Sequence, residues 1–361
     1  MATGYPTSLS YFRSRQKPLR FRDDGTFRIL HLSDIHEVSP EMDDDENPEI
    51  PKACSAETVN VIEQCIERTQ PDLVVFGGDN ISGYWEEYTY DYLVETINKI
   101  TEPVRRRGIP LAVVFGNHDS EGEEKRPFIR RENHINLYAE YENFRGCYNE
   151  EDVFGCGNYS LPVLAHDSEK TVWNIWCIDS NDYIRDENHQ VIHGAGYAYV
   201  HDDQIAWYER KAAKLREENG GIPVPAILFQ HIPVHQELDL FDFIEGETEG
   251  GRMNKNGCTL VPKEGAILEG LAREAPCPPE ENRKQFESWK KTGDIVAAFF
   301  GHDHINTFIA ELDGIKLIQT IGAGYHTYGN ERGGRLIVLH ENSRDFDTET
   351  LIVERITDLD I

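Results

Sequence analysis

The stretch that decides the fold is Leu111-Ala112-Val113-Val114-Phe115-Gly116-Asn117-His118-Asp119. Five apolar residues in a row read as a strand buried on both faces, and the abrupt change to Gly-Asn-His-Asp marks the loop that follows it. The same pattern recurs four times. Phe27–Leu32 runs into Asp34-Ile35-His36, Leu73–Phe76 into Gly78-Asp79-Asn80, Ala226–Phe229 into Gln230-His231-Ile232-Pro233, and Ile295–Phe300 into Gly301-His302-Asp303-His304. Loops leaving buried strands at one end converge on one edge of an α/β sheet, where the sites of such folds lie.

Between these strands the apolar spacing changes to that of helices. Residues 58–69 place Val59, Ile62, Cys65 and Ile66 on one face, and 88–107 place Tyr92, Leu93, Thr96, Ile97 and Ile100 on another. Residues 202–218 form a third helix with Ile205, Trp207, Tyr208 and Leu215 as its apolar positions. Residues 157–163 and 171–178 alternate like antiparallel strands of a second sheet, and Asp313-Gly314 marks a hairpin between 307–312 and 315–320. No linker or repeat divides the chain, so a single domain is expected over 1–361, with its core at about 26–345. Two stretches stand out. Residues 121–152 are polar and read as an insertion covering the site; residues 236–265 are glycine-rich and read as a mobile lid.

The chain carries 36 Lys and Arg against 65 Asp and Glu, a formal charge of −29 over 361 residues. Such a field repels nucleic acid and anionic membranes, so neither is an expected partner. A small anionic substrate stays admissible, because bound metal ions reverse the local sign. The acidic run Asp43–Glu46 reads as a solvated face. Seven cysteines form no CxxC pair, no apolar run reaches 18 residues and no secretory leader is evident, so reduced thiols and a cytoplasmic location are expected.

The clusters themselves are rich in carboxylate oxygen and imidazole nitrogen, the donors that hard and borderline metals prefer. Asp34 and His36, like His302 and His304, stand two residues apart, a spacing that in an extended strand points both side chains the same way. Asp79 has two oxygens and suits a bridge between ions, and Asn117 and His231 complete a set of seven. His31 has the opposite parity to Asp34 and reads as a core histidine. Asp303 reads as structural, and Arg130 and Arg131 as a solvated face.

DxH, GD, GNHD, a lone His after a strand, and GHDH, in that order from residue 34 to 304, resemble the calcineurin-like metallophosphoesterase family. Gly157-Asn158-Tyr159, Asp203-Gln204-Ile205-Ala206-Trp207 and Gly322-Ala323-Gly324-Tyr325 resemble its purple acid phosphatase-related branch. The resemblance implies a four-layer αββα sandwich of two mixed β-sheets flanked by helices, and hydrolysis of phosphomonoesters by attack of a metal-bridging hydroxide, with phosphodiesters, including cyclic nucleotides, as the alternative. It implies one metal on Asp34, His36, Asp79 and His304, and a second on Asp79, Asn117, His231 and His302. His118 would act on the leaving group, oriented by Asp119. Purple members carry a tyrosine three residues after the GD aspartate; here Ser82 stands there, so a colourless site holding two ions of Mn, Fe or Zn is expected. His235, Tyr325 and His326 are candidate substrate contacts.

Overall fold

The structure, a computed structural model, describes residues 17–39, 49–86, 88–188, 190–246, 248, 251–253 and 257–357. The acidic run at 43–46 lies outside the described residues. The chain begins with β1 (Leu19–Arg20), β2 (Thr26–Leu32), α1 (Glu49–Thr69), β3 (Leu73–Gly77), α2 (Tyr90–Arg105) and β4 (Leu111–Val114). It continues through α3 (Arg131–Ala139), β5 (Tyr159–Leu164), β6 (Thr171–Cys177), α4 (Asp202–Glu218), β7 (Ala226–Phe229), β8 (Phe241–Glu245), β9 (Arg252–Met253), β10 (Cys258–Pro262) and β11 (Ile267–Glu269). The last elements are α5 (Gln285–Thr292), β12 (Ile295–Phe300), β13 (Ile309–Leu312), β14 (Ile315–Gln319), β15 (Arg332–His340) and β16 (Phe346–Val353).

Two mixed sheets result. One has the order β16-β15-β2-β3-β4 and the other β1-β5-β6-β7-β12-β14-β13-β11. The strands carrying the polar clusters are parallel within each sheet: β2, β3 and β4 in the first, β7 and β12 in the second. Their carboxyl ends lie together, so five loops meet at one edge. Alternate residues explain why the runs are continuously apolar. Phe27 and Ile29 of β2 and Leu73 and Val75 of β3 meet Ile175, Ile227, Phe229, Ala297 and Phe299 between the sheets. Leu30, Leu32, Val74 and Phe76 face outward beneath α1 and α2. Leu228, Ala298 and Phe300 face the other way, beneath α4 and α5. The layers are helix, sheet, sheet, helix, as the resemblance implied.

The signature motifs outside the metal loops hold this frame together. The Tyr159 hydroxyl donates to Val113 O at 2.7 Å and accepts from Val113 N at 2.8 Å, pinning β5 to the edge strand β4. Gln204 Nε2 donates to Asn158 Oδ1 at 2.9 Å and to Asp179 O at 2.8 Å, so the two motifs grip each other. Helix α2 starts at Thr89, whose hydroxyl accepts from Tyr92 N, and buries Leu93, Ile97, Ile100 and Val104 on one stripe.

Two segments differ from the sequence reading. Residues 121–152 do carry core: α3 buries Ile135, Leu137 and Tyr138 with Ile129 and Phe144 against the α1 and α2 side. Those apolar residues are too widely spread among charges to show a helical period. Arg131 is buried rather than solvated, donating to Asp179 Oδ1 and Gly116 O, each at 2.7 Å, whereas Arg130 is exposed. Residues 236–265 hold a short 3-10 turn, His235–Leu240, and then a separate antiparallel sheet of order β8-β10-β9 that buries Leu260 completely. Strands of two to five residues leave no long alternation to recognise. The closing strand β16, eight residues long, also lies outside the elements expected from the sequence.

Candidate metal centre

Asp34 and Asp79 are fully buried, and His36, Asn117 and His231 are at most 2 % exposed. Their aim comes from the backbone, not from the pleat that the two-residue spacing suggested. Asp34, His36, Asp79 and His302 have φ of 51°, 47°, 49° and 73°, a left-handed conformation that is strained for side chains with a Cβ and is concentrated at functional loops. The loops are laced to one another. Asp34 N donates to Gly78 O at 3.0 Å, His36 N to Asp79 O at 2.8 Å, and His302 N to both Asp34 oxygens at 3.1 Å. The glycine of the Gly-Asn-His-Asp loop is required here: a Cβ on Gly116 would collide with Asp79 Oδ1.

The donors form two sets sharing one carboxylate. Those of Asp34, His36, Asp79 and His304 lie within 4.8 Å of one another, as do those of Asp79, His231 and His302. Asp79 Oδ2 is 3.6 Å from His36 Nε2 and 3.0 Å from His231 Nε2. Asp34 Oδ1 is 3.5 Å from His304 Nε2, and His36 Nε2 and His304 Nε2 are 3.2 Å apart. The far ring nitrogens are anchored: His36 Nδ1 by Ser82 Oγ at 3.1 Å, His231 Nδ1 by Gly77 O at 3.0 Å, and His304 Nδ1 by Thr327 Oγ1 at 2.9 Å. Each ring therefore turns Nε2 inward, the arrangement that prepares histidine for a cation.

The donor set fits metal ions on its own evidence. Asp79 Oδ2, Asn117 Oδ1, His231 Nε2 and His302 Nε2 are buried without a well-aligned hydrogen-bond partner, a costly state that a cation would relieve. Asn117 Nδ2 donates to the Tyr183 hydroxyl at 3.0 Å, which fixes the amide so that only its oxygen is left over. Burial raises Asp34 to about 7. Burial also leads the shift of His36 and His302 far below the usual imidazole range and of His304 to about 3, keeping their lone pairs free. Burial opposes a charge on His231, yet Asp79 and Asp34 outweigh it and raise that ring to about 9. Two buried carboxylates thus call for positive charge at this point.

His118 stands at the rim, its ring 5.1 Å from that of His36, and its backbone N–H donates to Asp79 Oδ1 at 2.7 Å. Its orienting partner differs from the expected Asp119. His118 Nδ1 pairs with the Glu121 carboxylate, three residues on. Asp119 faces the other way, where Asn80 N, Ile81 N and Gly116 N donate to it at 2.9, 3.2 and 2.8 Å. The loop's own backbone donors claim Asp119 first. Desolvation opposes protonation of His118, but Asp79 and Glu121 outweigh it and lift the ring to about 9.

A cavity of about 520 Å³ opens over the cluster, lined by His36, Asp79, His118, His302 and His304 together with Tyr84, Glu121, Tyr197, Glu274, Cys277, Asp303, Thr327 and Tyr328. The expected substrate contacts are elsewhere. His235 pairs with Pro279 O at 3.0 Å and lines a different, small cavity. Tyr325 packs in the core on the α1 side, with the Arg332 guanidinium 5.0 Å from its ring centre, and His326 turns inward toward Ser55 and Glu37. The next two residues do reach the cavity: Thr327 anchors His304 and Tyr328 stacks on it at 4.2 Å. His31 is a core residue as expected, with Nδ1 2.9 Å from Thr320 Oγ1 and its ring against Phe229. Asp303 is structural, accepting from Cys277 N and Gln319 Nε2, although it also borders the cavity. Tyr183, Tyr197, Glu274 and Cys277 came from segments whose sequence carries no periodic or motif signal.

Five loops that bring two overlapping donor sets and a carboxylate-paired histidine to one sheet edge belong to a metal-dependent phosphoesterase. The chain is a member of the calcineurin-like phosphoesterase family, whose pattern it matches over residues 27–306. It is similar to an Arabidopsis thaliana protein named probable inactive purple acid phosphatase 14, with 29 % identity over 341 residues, covering 89 % of this chain and 76 % of that one. It is also 27 % identical over 343 residues to phosphatase DCR2 of Saccharomyces cerevisiae, covering 91 % of this chain but 54 % of the yeast protein. Its fold is similar to that of a dimetal phosphatase from Danio rerio, with a TM-score of 0.54 at 13 % identity, over 90 % of this chain and 98 % of that one.

Proposed function

We propose that this enzyme hydrolyses phosphomonoesters at two metal ions, one held by Asp34, His36, Asp79 and His304 and the other by Asp79, Asn117, His231 and His302. The observation that carries the reading is the shared carboxylate: Asp79 Oδ2 is within 3.6 Å of a ring nitrogen from each set. When bound, such a pair supplies Lewis acidity and an activated water for direct attack on phosphorus. Asp79 and Asp34 offset the ions' charge, and the anchored imidazoles keep the donors fixed. His118, protonated and held by Glu121, delivers its Nε2 proton to the departing alkoxide, so the P–O bond breaks to give a neutral alcohol. No residue of the chain needs to become covalently attached to the phosphoryl group. Mn, Fe and Zn all match the mixed oxygen and nitrogen donors.

A phosphodiester is the second reading, and one observation favours it. Among the described residues no Lys or Arg lines the metal cavity, so the second negative charge of a monoester would meet only His118 and the ions. The test is a panel of p-nitrophenyl phosphate and bis-p-nitrophenyl phosphate on metal-stripped protein reloaded with Mn, Fe, Zn, Ni or Co. Metal-restored turnover of the monoester above the diester is the expected result. The reverse order selects the second reading, and no turnover with any ion overturns both.

A further inference from the structure

The metal cavity continues into a larger groove of about 1000 Å³, and Tyr84, Glu121, Tyr197 and Cys277 line both. Two of these shared residues, Tyr84 and Glu121, contact His118, the group assigned above to the leaving alcohol. Tyr84 meets the His118 ring edge-on at 5.7 Å and an angle of 69°. Its other neighbour is Trp85, stacked at 5.7 Å and 27°, and the phenol remains 42 % exposed to the groove. A different segment supplies more flat surface. Tyr183 and Tyr197 stack at 5.7 Å on a hairpin closed by the Tyr183–Tyr197 and Arg185–Val191 bridges.

Two of the groove's three Lys and Arg side chains are paired with carboxylates, and the third is held by backbone carbonyls. Arg185 pairs with Asp182 at 2.6 Å and with Glu123 and Glu124 at 3.1 and 3.4 Å. Arg126 donates to the carbonyls of Gly83 and Trp85, and Lys125 lies 3.4 Å from Glu86. A polyanionic leaving group would find no unmatched cation row here, of the kind that tracks phosphates. An uncharged flat ring would find the exposed ring of Tyr84 beside the half-buried Tyr183 and Tyr197, and planar groups bind such rings by stacking irrespective of their hydrogen-bonding edges.

We propose that this groove holds the leaving alcohol of the substrate, that the alcohol carries a flat uncharged ring, and that Tyr84 is the residue selecting it. The proposal rests on the phosphoesterase reading above. The reaction is ordinary hydrolysis: water oxygen bonds to phosphorus, the ester P–O bond breaks, and His118 gives its proton to the ringed alcohol.

The test compares pairs of esters that leave as similar alkoxides and differ in the ring: adenosine 5'-phosphate against ribose 5-phosphate, and benzyl phosphate against propyl phosphate, on Mn-loaded protein. The expected result is a higher kcat/KM for the ringed member. Tyr84→Ala then lowers the ratio of kcat/KM for the ringed member to that for the ringless one by about 5- to 150-fold, and Tyr84→Phe retains the ratio. Preference in both pairs assigns any flat ring; preference in the adenosine pair alone assigns a nucleoside. Calorimetry of adenosine binding gives a reading independent of turnover, with binding expected in the wild-type protein and weakened in Tyr84→Ala. Equal kcat/KM within both pairs, or adenosine binding that is absent or indifferent to Tyr84→Ala, overturns the groove assignment while leaving the phosphoesterase reading intact. Failure to turn over any of the four esters overturns the monoester reading instead, and adenosine calorimetry then decides the groove.

Discussion

Asn117 donates its side-chain N–H to the Tyr183 hydroxyl at 3.0 Å, and its buried oxygen has no partner of its own. The phenol therefore decides which end of the amide faces the donor cluster. Tyr183→Phe keeps the ring and its stack on Tyr197 but frees the amide to flip. Affinity for one of the two ions is expected to fall about 10–100-fold, measured as metal stoichiometry by equilibrium dialysis at limiting Mn. Retention of two equally tight ions in the variant would contradict the orienting role.

The division of labour between Glu121 and Asp119 separates turnover from stability. His118→Ala is expected to lower kcat by about 10²–10⁴-fold. Because the Glu121 carboxylate helps raise the His118 pKa, Glu121→Gln moves the alkaline limb of the kcat profile to lower pH. Asp119→Asn acts differently, weakening three backbone donors that pin the loops, and is expected to destabilise the fold by about 2 kcal/mol. A pH profile unchanged by Glu121→Gln would reject the pairing.

Arg131 links α3 to the catalytic loop through Gly116 O and closes a buried pair with Asp179, whose other oxygen accepts from Cys156 N at 2.7 Å. Removing one partner strands the other charge, which costs about 3–5 kcal/mol. Arg131→Ala should show that loss in urea unfolding, and adding Asp179→Asn should recover part of it. A variant as stable as the parent would mean that the pair is solvated.

Glu237 is fully buried on the turn after β7, with one oxygen accepting from Gln319 Nε2 at 2.9 Å, and burial raises its pKa to about 8. The folded state holds this proton more tightly than the unfolded chain does. Stability from it is complete below the ordinary glutamate pKa and is lost as pH rises through about 8. Glu237→Gln should flatten that decline, becoming more stable than the parent at pH 9 but not at pH 4, in thermal melts across the range. Parallel stability curves would refute the assignment.

The strand-end clusters were legible because their chemistry is local. A buried parallel strand must be apolar throughout, and its loop must carry the donors, so Asp34, His36, Asp79, Asn117, His231, His302 and His304 could be picked out, and the two-sheet sandwich followed from the family resemblance that these motifs carry. The helices α2 and α4 were readable from spacing for the same reason. What lay beyond reach depends on residues distant in sequence. Glu121 rather than Asp119 partners His118 because backbone N–H groups from two loops occupy Asp119 first. Arg131 is buried because Asp179, 48 positions away, meets it. Thr327 and Tyr328, not Tyr325 and His326, reach His304 because the late glycine-rich loop turns those two side chains inward. Sequence therefore determined which side chains offer metal donors and on which ends of strands they sit. Tertiary structure alone decided how each donor is aimed and what surrounds it, since left-handed loop backbone and cross-chain hydrogen bonds, not strand periodicity, set those directions.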